Sequence, residues 1–287
     1  MSEIIKIPFE TEYFDPLSTL DCGQIFRFSA YNNGFKVFSM DKCAVIYLEN
    51  DKTVIECYQE DKDYFYNFFD LDRDYKTICE SANKENISIL SNAIDSGKGI
   101  RILNQDKIEM LFSFIVSQNN NIPRIKGIIE KLCFNLGERK TFKDIEYHAF
   151  PSIEKMASVG EEFYTSIGLG YRAKYIKNLA EEIKNGLDVV AFDKLDTISL
   201  KKQLSTILGV GPKVADCVAL FGFHRSDSFP VDTWIEKVYR EDFKGKLKDR
   251  NKISEYFVKK FKENAGYYQQ YLFYYKRMIE KQVLTKK

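Results

Sequence analysis

Two side chains of this sequence, Lys213 and Asp232, stand where residues of their type could do chemistry. Lys213 opens an apolar segment behind a Gly-Val-Gly turn, within ILGVGPKVADCVALFGFHRSDSFPVDTW at 207–234. The N-terminus of a helix carries partial positive charge, which disfavours a protonated amine at that position. A neutral lysine amine is a nucleophile that can form a Schiff base, whereas an exposed and solvated lysine would have no chemical role. Both interpretations fit Lys213 taken alone.

Asp232 precedes the segment TWIEKVYRE, where a carboxylate can act as a helix N-cap. Thr233 with Glu236 also fits a capping box, so local structure could account for this acid. The pair is more specific than either residue. An amine can attack the anomeric carbon of a sugar while a carboxylate stabilises the oxocarbenium-like charge that develops. Lys213 and Asp232 together therefore suit chemistry at a sugar C1′.

Two glycines, Gly209 and Gly211, connect helices predicted at SLKKQLSTIL and PKVADCVALFGF. A Gly-x-Gly turn lets backbone N–H groups approach a ligand closely, and a helix N-terminus favours phosphate. Pro212 suits the first helical position. The alternative is an ordinary helical hairpin that uses glycine only for its turn.

Composition excludes several classes of protein. The 287 residues are 44% hydrophobic and 30% charged, as in globular proteins, and contain no apolar run long enough to span a bilayer. The six cysteines are dispersed with no C-x-x-C pair, which argues against a zinc site or an iron–sulfur cluster. The N-terminus lacks a signal-peptide layout, which predicts a protein of the cytoplasm or nucleoid. The length of 287 residues and the absence of basic targeting tails predict a prokaryotic protein, and we further expect a monomer with no metal or cofactor.

Charge is divided unevenly along the chain. Residues 1–98 carry 10 Lys and Arg against 18 Asp and Glu, whereas residues 99–287 carry 33 against 24. A basic C-terminal part suggests a polyanionic partner there, although charged residues also serve simply as a solvated surface.

Apolar spacing predicts the fold class and two domains. FRFSAY, FKVFSM, AVIYL and TVIECY have the composition of strands, and NNG at 32–34 is a turn signal between the first two. From about residue 60 the spacing becomes that of amphipathic helices. The prediction is an α+β protein, with an antiparallel β-rich domain at 1–80 and a larger all-helical domain at 81–287.

The segment LGVGPKVADCVALF…PVDTW resembles the signature of the helix-hairpin-helix DNA glycosylases, and more narrowly their 8-oxoguanine DNA glycosylase/apurinic-site lyase branch. Other segments agree with this resemblance across nearly the whole chain. They are CGQIFRF at 22–28, FSFIVSQNNNIPRI at 112–125, GLGYRAKYI at 168–176 and AGYYQQYLF at 265–273. Endonuclease III and the adenine glycosylases are less similar, because they carry a four-cysteine motif that this sequence lacks.

The resemblance implies roles in catalysis and in binding the damaged base. Lys213 would be the nucleophile and Asp232 the essential carboxylate. The Gly23 carbonyl would accept the N7–H that 8-oxoguanine has and guanine lacks. Phe273 and Cys217 would enclose the extruded base between them. Gln269 would read the Watson–Crick edge of that base.

The resemblance also implies contacts with the opposite strand of duplex DNA. Asn119, Arg124 and Arg172 would address the cytosine left unpaired, while Tyr171 would wedge into the base stack. These residues also have ordinary alternatives. Asn119 could belong to a polar loop, and Arg124 and Arg172 could be solvated surface arginines. A histidine found two positions after the carboxylate in the animal and fungal relatives is replaced here by Trp234, which puts its phosphate contact in doubt.

Two other functions fit part of the pattern. One is a non-catalytic helix-hairpin-helix DNA-binding module, in which Lys213 only touches phosphate. The other is a glycosylase for alkylated bases, in which Asp232 activates water and no strand nicking follows.

Overall fold

A computed structural model describes residues 2–285, and of 281–285 only the backbone of the last helix. Five strands form one antiparallel sheet in the order β1-β5-β4-β3-β2. Two further strands form a separate hairpin. The strands are β1 (Ile4–Glu10), β2 (Phe28–Tyr31), β3 (Gly34–Ser39), β4 (Lys42–Glu49), β5 (Lys52–Tyr58), β6 (Arg139–Phe142) and β7 (Ile145–His148).

Tight turns set the register of the main sheet. β4 and β5 are joined by Asn50 and Asp51, which both have positive φ, as a two-residue hairpin turn requires. Asn32 likewise has a positive φ in the turn predicted between β2 and β3. The four predicted strands are therefore confirmed, with their ends shifted by one or two residues.

Two β elements were not predicted. β1 pairs with β5 at the edge of the sheet, and its Pro8 is acceptable there because an edge strand can lack a donor. The β6–β7 hairpin interrupts the part predicted to be all-helical. It covers the outer face of the sheet, where Phe142 and Tyr147 pack with Val45. This contact joins segments about a hundred residues apart, so local sequence patterns could not reveal it.

Helices make up most of the remaining chain. They are α1 (Pro16–Leu20), α2 (Lys62–Phe68), α3 (Tyr75–Lys84), α4 (Ser88–Gly97), α5 (Lys107–Val116), α6 (Ile122–Leu136), α7 (Ile153–Ser158), α8 (Glu161–Ser166), α9 (Arg172–Lys184), α10 (Thr197–Leu204), α11 (Pro212–Phe221), α12 (Thr233–Glu241), α13 (Arg250–Phe261) and α14 (Ala265–Thr285). None of the described helices is long and apolar enough to cross a membrane.

Besides the cluster under the β6–β7 hairpin, the described residues form one core among the helices and another under the sheet. The helical core takes residues from α3 to α14 and also Cys22 and Phe26 from the N-terminal part. The core under the sheet includes Phe65 of α2 and Leu103, which precedes α5. The domain boundary placed at residue 80 stays a prediction. Residue 1 of the first predicted domain and residues 286–287 of the second lie outside the described residues.

A buried ion pair connects the sheet with the helices. Arg27 lies 3.4 Å from Glu109 of α5 and donates to the carbonyls of Met40 and His148. Glu109 in turn accepts from the Met40 amide at 2.6 Å. The sheet, α5 and the β6–β7 hairpin therefore meet at one polar cluster, which fixes the position of the N-terminal part against the helices.

Candidate active site

A cleft of about 830 Å³ brings together residues from both ends of the chain and from the α10–α11 hairpin. Nine of the twelve residues predicted for the site line this cleft. They are Gly23, Asn119, Arg124, Gly211, Lys213, Cys217, Asp232, Gln269 and Phe273. The other three, Tyr171, Arg172 and Gly209, lie beside it.

The α10–α11 hairpin places Lys213 in the cleft. Gly209 has φ +88°, and a Cβ there would lie 2.5 Å from the Tyr175 ring, so only glycine fits. Gly211 is the N-cap of α11, and a Cβ on it would meet nothing within 4 Å. Lys213 is exposed on the first turn of α11, as the alternative of a solvated lysine predicts, but it also lines the cleft, with its Nζ 5.8 Å from the centre of the Phe114 ring.

Cys217 lies one turn after Lys213 on the same helix face. Burial raises the pKa of the Cys217 thiol to about 11, although the Lys213 charge acts in the opposite direction. A thiol of this kind stays protonated at neutral pH, so Cys217 offers the cleft a small apolar surface.

Asp232 is the N-cap of α12, as predicted. Its Oδ1 accepts from the amides of Trp234 at 3.0 Å and Ile235 at 2.9 Å. The alternative of a capping box formed by Thr233 and Glu236 does not hold. Asp232 occupies the N-cap position, and Glu236 instead forms ion pairs with arginines of α12 and α13.

Burial raises the pKa of the Asp232 carboxyl above its ordinary value. The two capping amides and the Lys213 charge act in the opposite direction. Because both amides bind Oδ1, Oδ2 remains free of the cap. Asp232 therefore combines a structural contact with a carboxylate oxygen on the wall of the cleft that also holds Lys213.

Gly23 forms the opposite wall with the last helix. Gly23 has φ +84°, and a Cβ there would lie 3.2 Å from the Phe273 ring. Two side chains of α14 anchor this loop, since Gln270 donates to the Cys22 carbonyl at 2.7 Å and Arg277 donates to the carbonyl and carboxylate of Asp21. Gly23 is therefore held against Phe273 by contacts on either side.

Gln269 presents an acceptor to the cleft. Its Nε2 donates to the Pro230 carbonyl at 3.2 Å, which fixes the orientation of the amide. Its Oε1 is buried without a hydrogen-bond partner among the described residues. A buried acceptor left unpaired is costly, so a ligand that carries N–H donors would be favoured at this point.

The residues predicted for the opposite strand surround the end of α5 and the start of α6. Asn119 has φ +45°, and its Nδ2 lies 3.2 Å from the hydroxyl of Tyr171, which is 52% exposed. Arg124 donates to the Gly168 carbonyl at 3.2 Å. These three side chains are accessible to a ligand beside the cleft.

Arg172 is placed differently from the expectation of a base contact. It is buried, and its guanidinium donates to the backbone carbonyls of Gln118, Asn119 and Leu169. In this structure Arg172 therefore supports the loop that carries Asn119.

Sequence reasoning missed several supporting residues. Asp216 is buried in α11, accepts from Ser228 and Ser254, and pairs with Lys201 of α10 at 2.9 Å, which ties the two helices of the hairpin together. A polar residue inside the apolar run PKVADCVALF was a visible signal. Gln118 donates to the Gly209 carbonyl at 2.8 Å. This second contact connects elements far apart in the chain and had no local signal.

The position of the relatives' histidine holds Trp234, half-buried at the rim of the cleft. Arg250, at the start of α13, also lines this rim and pairs with Glu236 at 2.8 Å. Among the described residues no group of three or more His, Cys, Asp or Glu side chains could hold a metal ion.

Two protein-family models match consecutive parts of the chain. The N-terminal domain of 8-oxoguanine DNA glycosylase matches residues 6–111, and the HhH-GPD superfamily base excision DNA repair protein matches residues 112–263. A probable N-glycosylase/DNA lyase of Methanothermobacter thermautotrophicus is 31% identical over 229 residues, which cover 73% of this chain and 71% of the relative. The N-glycosylase/DNA lyase of Saccharomyces cerevisiae is 34% identical over 259 residues, which cover 79% and 67%.

A solved structure agrees with this relationship over almost the whole fold. The Clostridium acetobutylicum 8-oxoguanine glycosylase/lyase, in complex with double-stranded DNA containing cytosine opposite 8-oxoG, superposes with a TM-score of 0.90. The two sequences are 33% identical, and the match covers 96% of this chain and 98% of the other. The chain therefore belongs to the HhH-GPD superfamily of base excision DNA repair proteins, in its 8-oxoguanine DNA glycosylase branch.

Proposed function

We propose that this protein excises 8-oxoguanine from duplex DNA, preferably opposite cytosine, and then nicks the abasic site by β-elimination. The observation that carries the proposal is that Lys213 and Asp232 line the same cleft as Gly23 and the unpaired acceptor of Gln269. A nucleophile, a carboxylate and base-reading groups thus meet in a space of about 830 Å³.

The base-reading groups match 8-oxoguanine. Its Watson–Crick edge carries N–H donors at N1 and N2, which suit the Oε1 of Gln269. Its N7–H suits the carbonyl of Gly23, whereas the bare N7 of guanine would oppose that oxygen. Phe273 and Cys217 enclose the ring on either side. Guanine would place its N7 acceptor against the Gly23 acceptor and lose that hydrogen bond, so the site favours 8-oxoguanine over guanine.

Lys213 and Asp232 carry out the bond changes. The lone pair of the Lys213 amine attacks C1′ and the C1′–N9 bond breaks, and the departing base takes up the proton that the newly bonded nitrogen gives up. Asp232 stabilises the positive charge that develops on the sugar. Opening of the sugar ring then gives a Schiff base between Nζ and C1′. Loss of a proton from C2′ expels the 3′ phosphate, and water later releases the lysine.

The residues beside the cleft contact the rest of the duplex. Extrusion of a base costs a few kcal/mol, which contacts with the vacated stack offset. Tyr171 fills the stack, while Asn119 and Arg124 address the unpaired cytosine. We assign Arg172 to support of their loop, because its donors already bind backbone carbonyls.

Phosphate contacts position the duplex without reading its sequence. The amides behind Gly209 and Gly211, at the start of α11, bind backbone phosphate. The surplus of basic residues after residue 98 adds a general attraction to DNA. The enzyme acts as a monomer, without a cofactor, and works where chromosomal DNA lies, in the cytoplasm of a prokaryote.

Borohydride trapping tests the proposal. Duplexes with 8-oxoguanine opposite each of the four bases are incubated with the enzyme, with Lys213→Gln and with Lys202→Gln. Lys202 is an exposed lysine of the same hairpin and serves as the control. The wild type and the control should form a covalent adduct and nick the strand, fastest opposite cytosine. Lys213→Gln should do neither while still binding the duplex.

Other outcomes identify the alternatives. DNA binding with no adduct and no base release would indicate a non-catalytic module. Base release without nicking would indicate a glycosylase that activates water. An adduct that persists in Lys213→Gln would exclude Lys213 as the nucleophile.

A further inference from the structure

Arg277 of α14 has one guanidinium nitrogen that is paired within the fold and one that is not. Arg277 is 7% exposed, and its Nη2 donates to the carbonyl and the carboxylate of Asp21. Its Nη1 is buried and has no hydrogen-bond partner among the described residues. An unpaired N–H of a charged group inside a protein is strongly disfavoured, so this nitrogen calls for an acceptor.

The free nitrogen lies at the recognition end of the cleft. Arg277 lines the cleft, and its Nη1 is 3.6 Å from the point where a Cβ on Gly23 would lie. The guanidinium carbon is 5.6 Å from the centre of the Phe273 ring. The unpaired donor is therefore adjacent to both the Gly23 loop and the ring proposed to stack on the base.

Three side chains of α14 follow one another along the cleft. Gln269, Phe273 and Arg277 are spaced by four residues, so they share one face of the helix. Two helical turns separate the first from the last, about 12 Å along the axis at 1.5 Å per residue. A purine stacked on Phe273 with its Watson–Crick edge at Gln269 would direct its opposite, imidazole edge towards Arg277.

We propose that Arg277 is a further specificity-determining residue, whose Nη1 donates to the C8 carbonyl oxygen of 8-oxoguanine. This rests on the proposed function. The Phe273 ring lies against Gly23 and near the guanidinium in this structure. An entering base that displaced the ring would uncover Nη1. The Gly23 carbonyl and the Arg277 N–H then form an acceptor–donor pair that matches the N7–H and C8=O of the lesion.

The chemistry of the two bases explains the gain in selectivity. Guanine carries a C–H at C8 and a bare N7, so it matches neither member of this pair. A contact to the C8 oxygen would add to the discrimination at N7. It would also satisfy a charged donor that otherwise stays unpaired, and hydrogen bonds to charged groups are among the stronger ones.

Comparison of two lesions tests the contact. 8-Thioguanine replaces the C8 oxygen by sulfur, a weak acceptor, and keeps the rest of the base. Single-turnover excision of both bases, each opposite cytosine, is measured for the wild type, Arg277→Leu and Asp21→Asn. Arg277→Leu should slow excision of 8-oxoguanine about ten- to a hundredfold and excision of 8-thioguanine much less. The preference of the enzyme for oxygen over sulfur should therefore nearly disappear.

Asp21→Asn is the matched control, because it weakens the anchor of Arg277 but keeps the guanidinium. It should preserve the preference for oxygen. Nicking of a duplex with a preformed abasic site, which needs no base recognition, should be unchanged in both variants. If Arg277→Leu loses this nicking through misfolding, Arg277→Gln is compared in its place, since its shorter side chain keeps an amide but no charge.

Equal slowing of both lesions in the Arg277 variant, with the preference intact, would overturn the contact and leave Arg277 as a loop anchor. A wild type that releases neither base would overturn the proposed function and this inference with it.

Discussion

Asp232 combines an observed structural contact with a proposed chemical role. Asp232 caps α12 through Oδ1 and lines the cleft beside Lys213. Its position as a helix cap was predictable from FPVDTW alone. The chemical role proposed for it was not predictable from that motif, because the same motif serves ordinary helices. The two roles can be separated by a substitution that preserves only the cap.

Asp232→Asn should keep the fold and lose the chemistry. Asparagine caps helices as well as aspartate, so the melting temperature should change little. Without the negative charge, single-turnover excision of 8-oxoguanine should slow by about a hundredfold or more, as expected when a preorganised group that stabilises transition-state charge is removed. Near-normal excision together with a lower melting temperature would show that Asp232 acts only as a cap.

Arg124→Ala should weaken the reading of the opposite base. Arg124 is held by the Gly168 carbonyl beside the cleft and can donate to an unpaired cytosine. A good bidentate contact discriminates by about 1–3 kcal/mol, so excision opposite cytosine should fall roughly ten- to a hundredfold. Excision opposite adenine should change much less. Equal loss opposite all four bases would indicate phosphate contact, and the salt dependence of binding would then decrease by about one ion.

At the scale of elements, the α10–α11 hairpin depends on two glycines for different reasons. Gly209 needs its positive φ and has Tyr175 against it, whereas Gly211 has φ −83° and open space. The sequence identified both as turn glycines but could not distinguish them. That distinction depends on Tyr175 of α9, more than thirty residues earlier.

Gly209→Ala and Gly211→Ala should therefore behave differently. At Gly209 the left-handed backbone costs about 1–2 kcal/mol for a residue with a Cβ, and the clash with Tyr175 adds to it. The melting temperature should fall. At Gly211 it should stay the same, while affinity for undamaged duplex falls because the new methyl group lies where phosphate approaches. Thermal unfolding and duplex titration measure the two effects, and equal stability of both variants would contradict this account of the hairpin.

At the scale of the whole molecule, the polar cluster of Arg27 and Glu109 joins the sheet, α5 and the β6–β7 hairpin. The α+β class and the order of the two parts followed from apolar spacing. The β6–β7 hairpin, this cluster and the buried state of Arg172 did not, because each depends on contacts between distant segments. Local sequence patterns predict which face of a helix or strand is apolar, but they do not predict which distant segment packs against that face.

Glu109→Ala should destabilise the protein by about 3–5 kcal/mol, because it leaves the Arg27 charge buried without its partner. The Met40 amide also loses its acceptor. Denaturant unfolding measures the change. The double variant Arg27→Met with Glu109→Leu should recover much of the loss, since an apolar pair of similar size leaves no unpaired charge. A single variant as stable as the wild type would show that the cluster does not hold the two parts together.

The wall of the cleft formed by Gly23 and α14 joins segments that are far apart in the chain. Gln270 contacts Cys22 across 248 residues, and Arg277 contacts Asp21 across 256. During synthesis on the ribosome, Lys213 and Asp232 emerge before α14 exists. Under the proposed function, a chain stopped after α13 would carry Lys213 and Asp232 without the α14 residues that read the base. Under the same proposal, selectivity for the lesion is acquired only when α14 packs against the loop of residues 21–23.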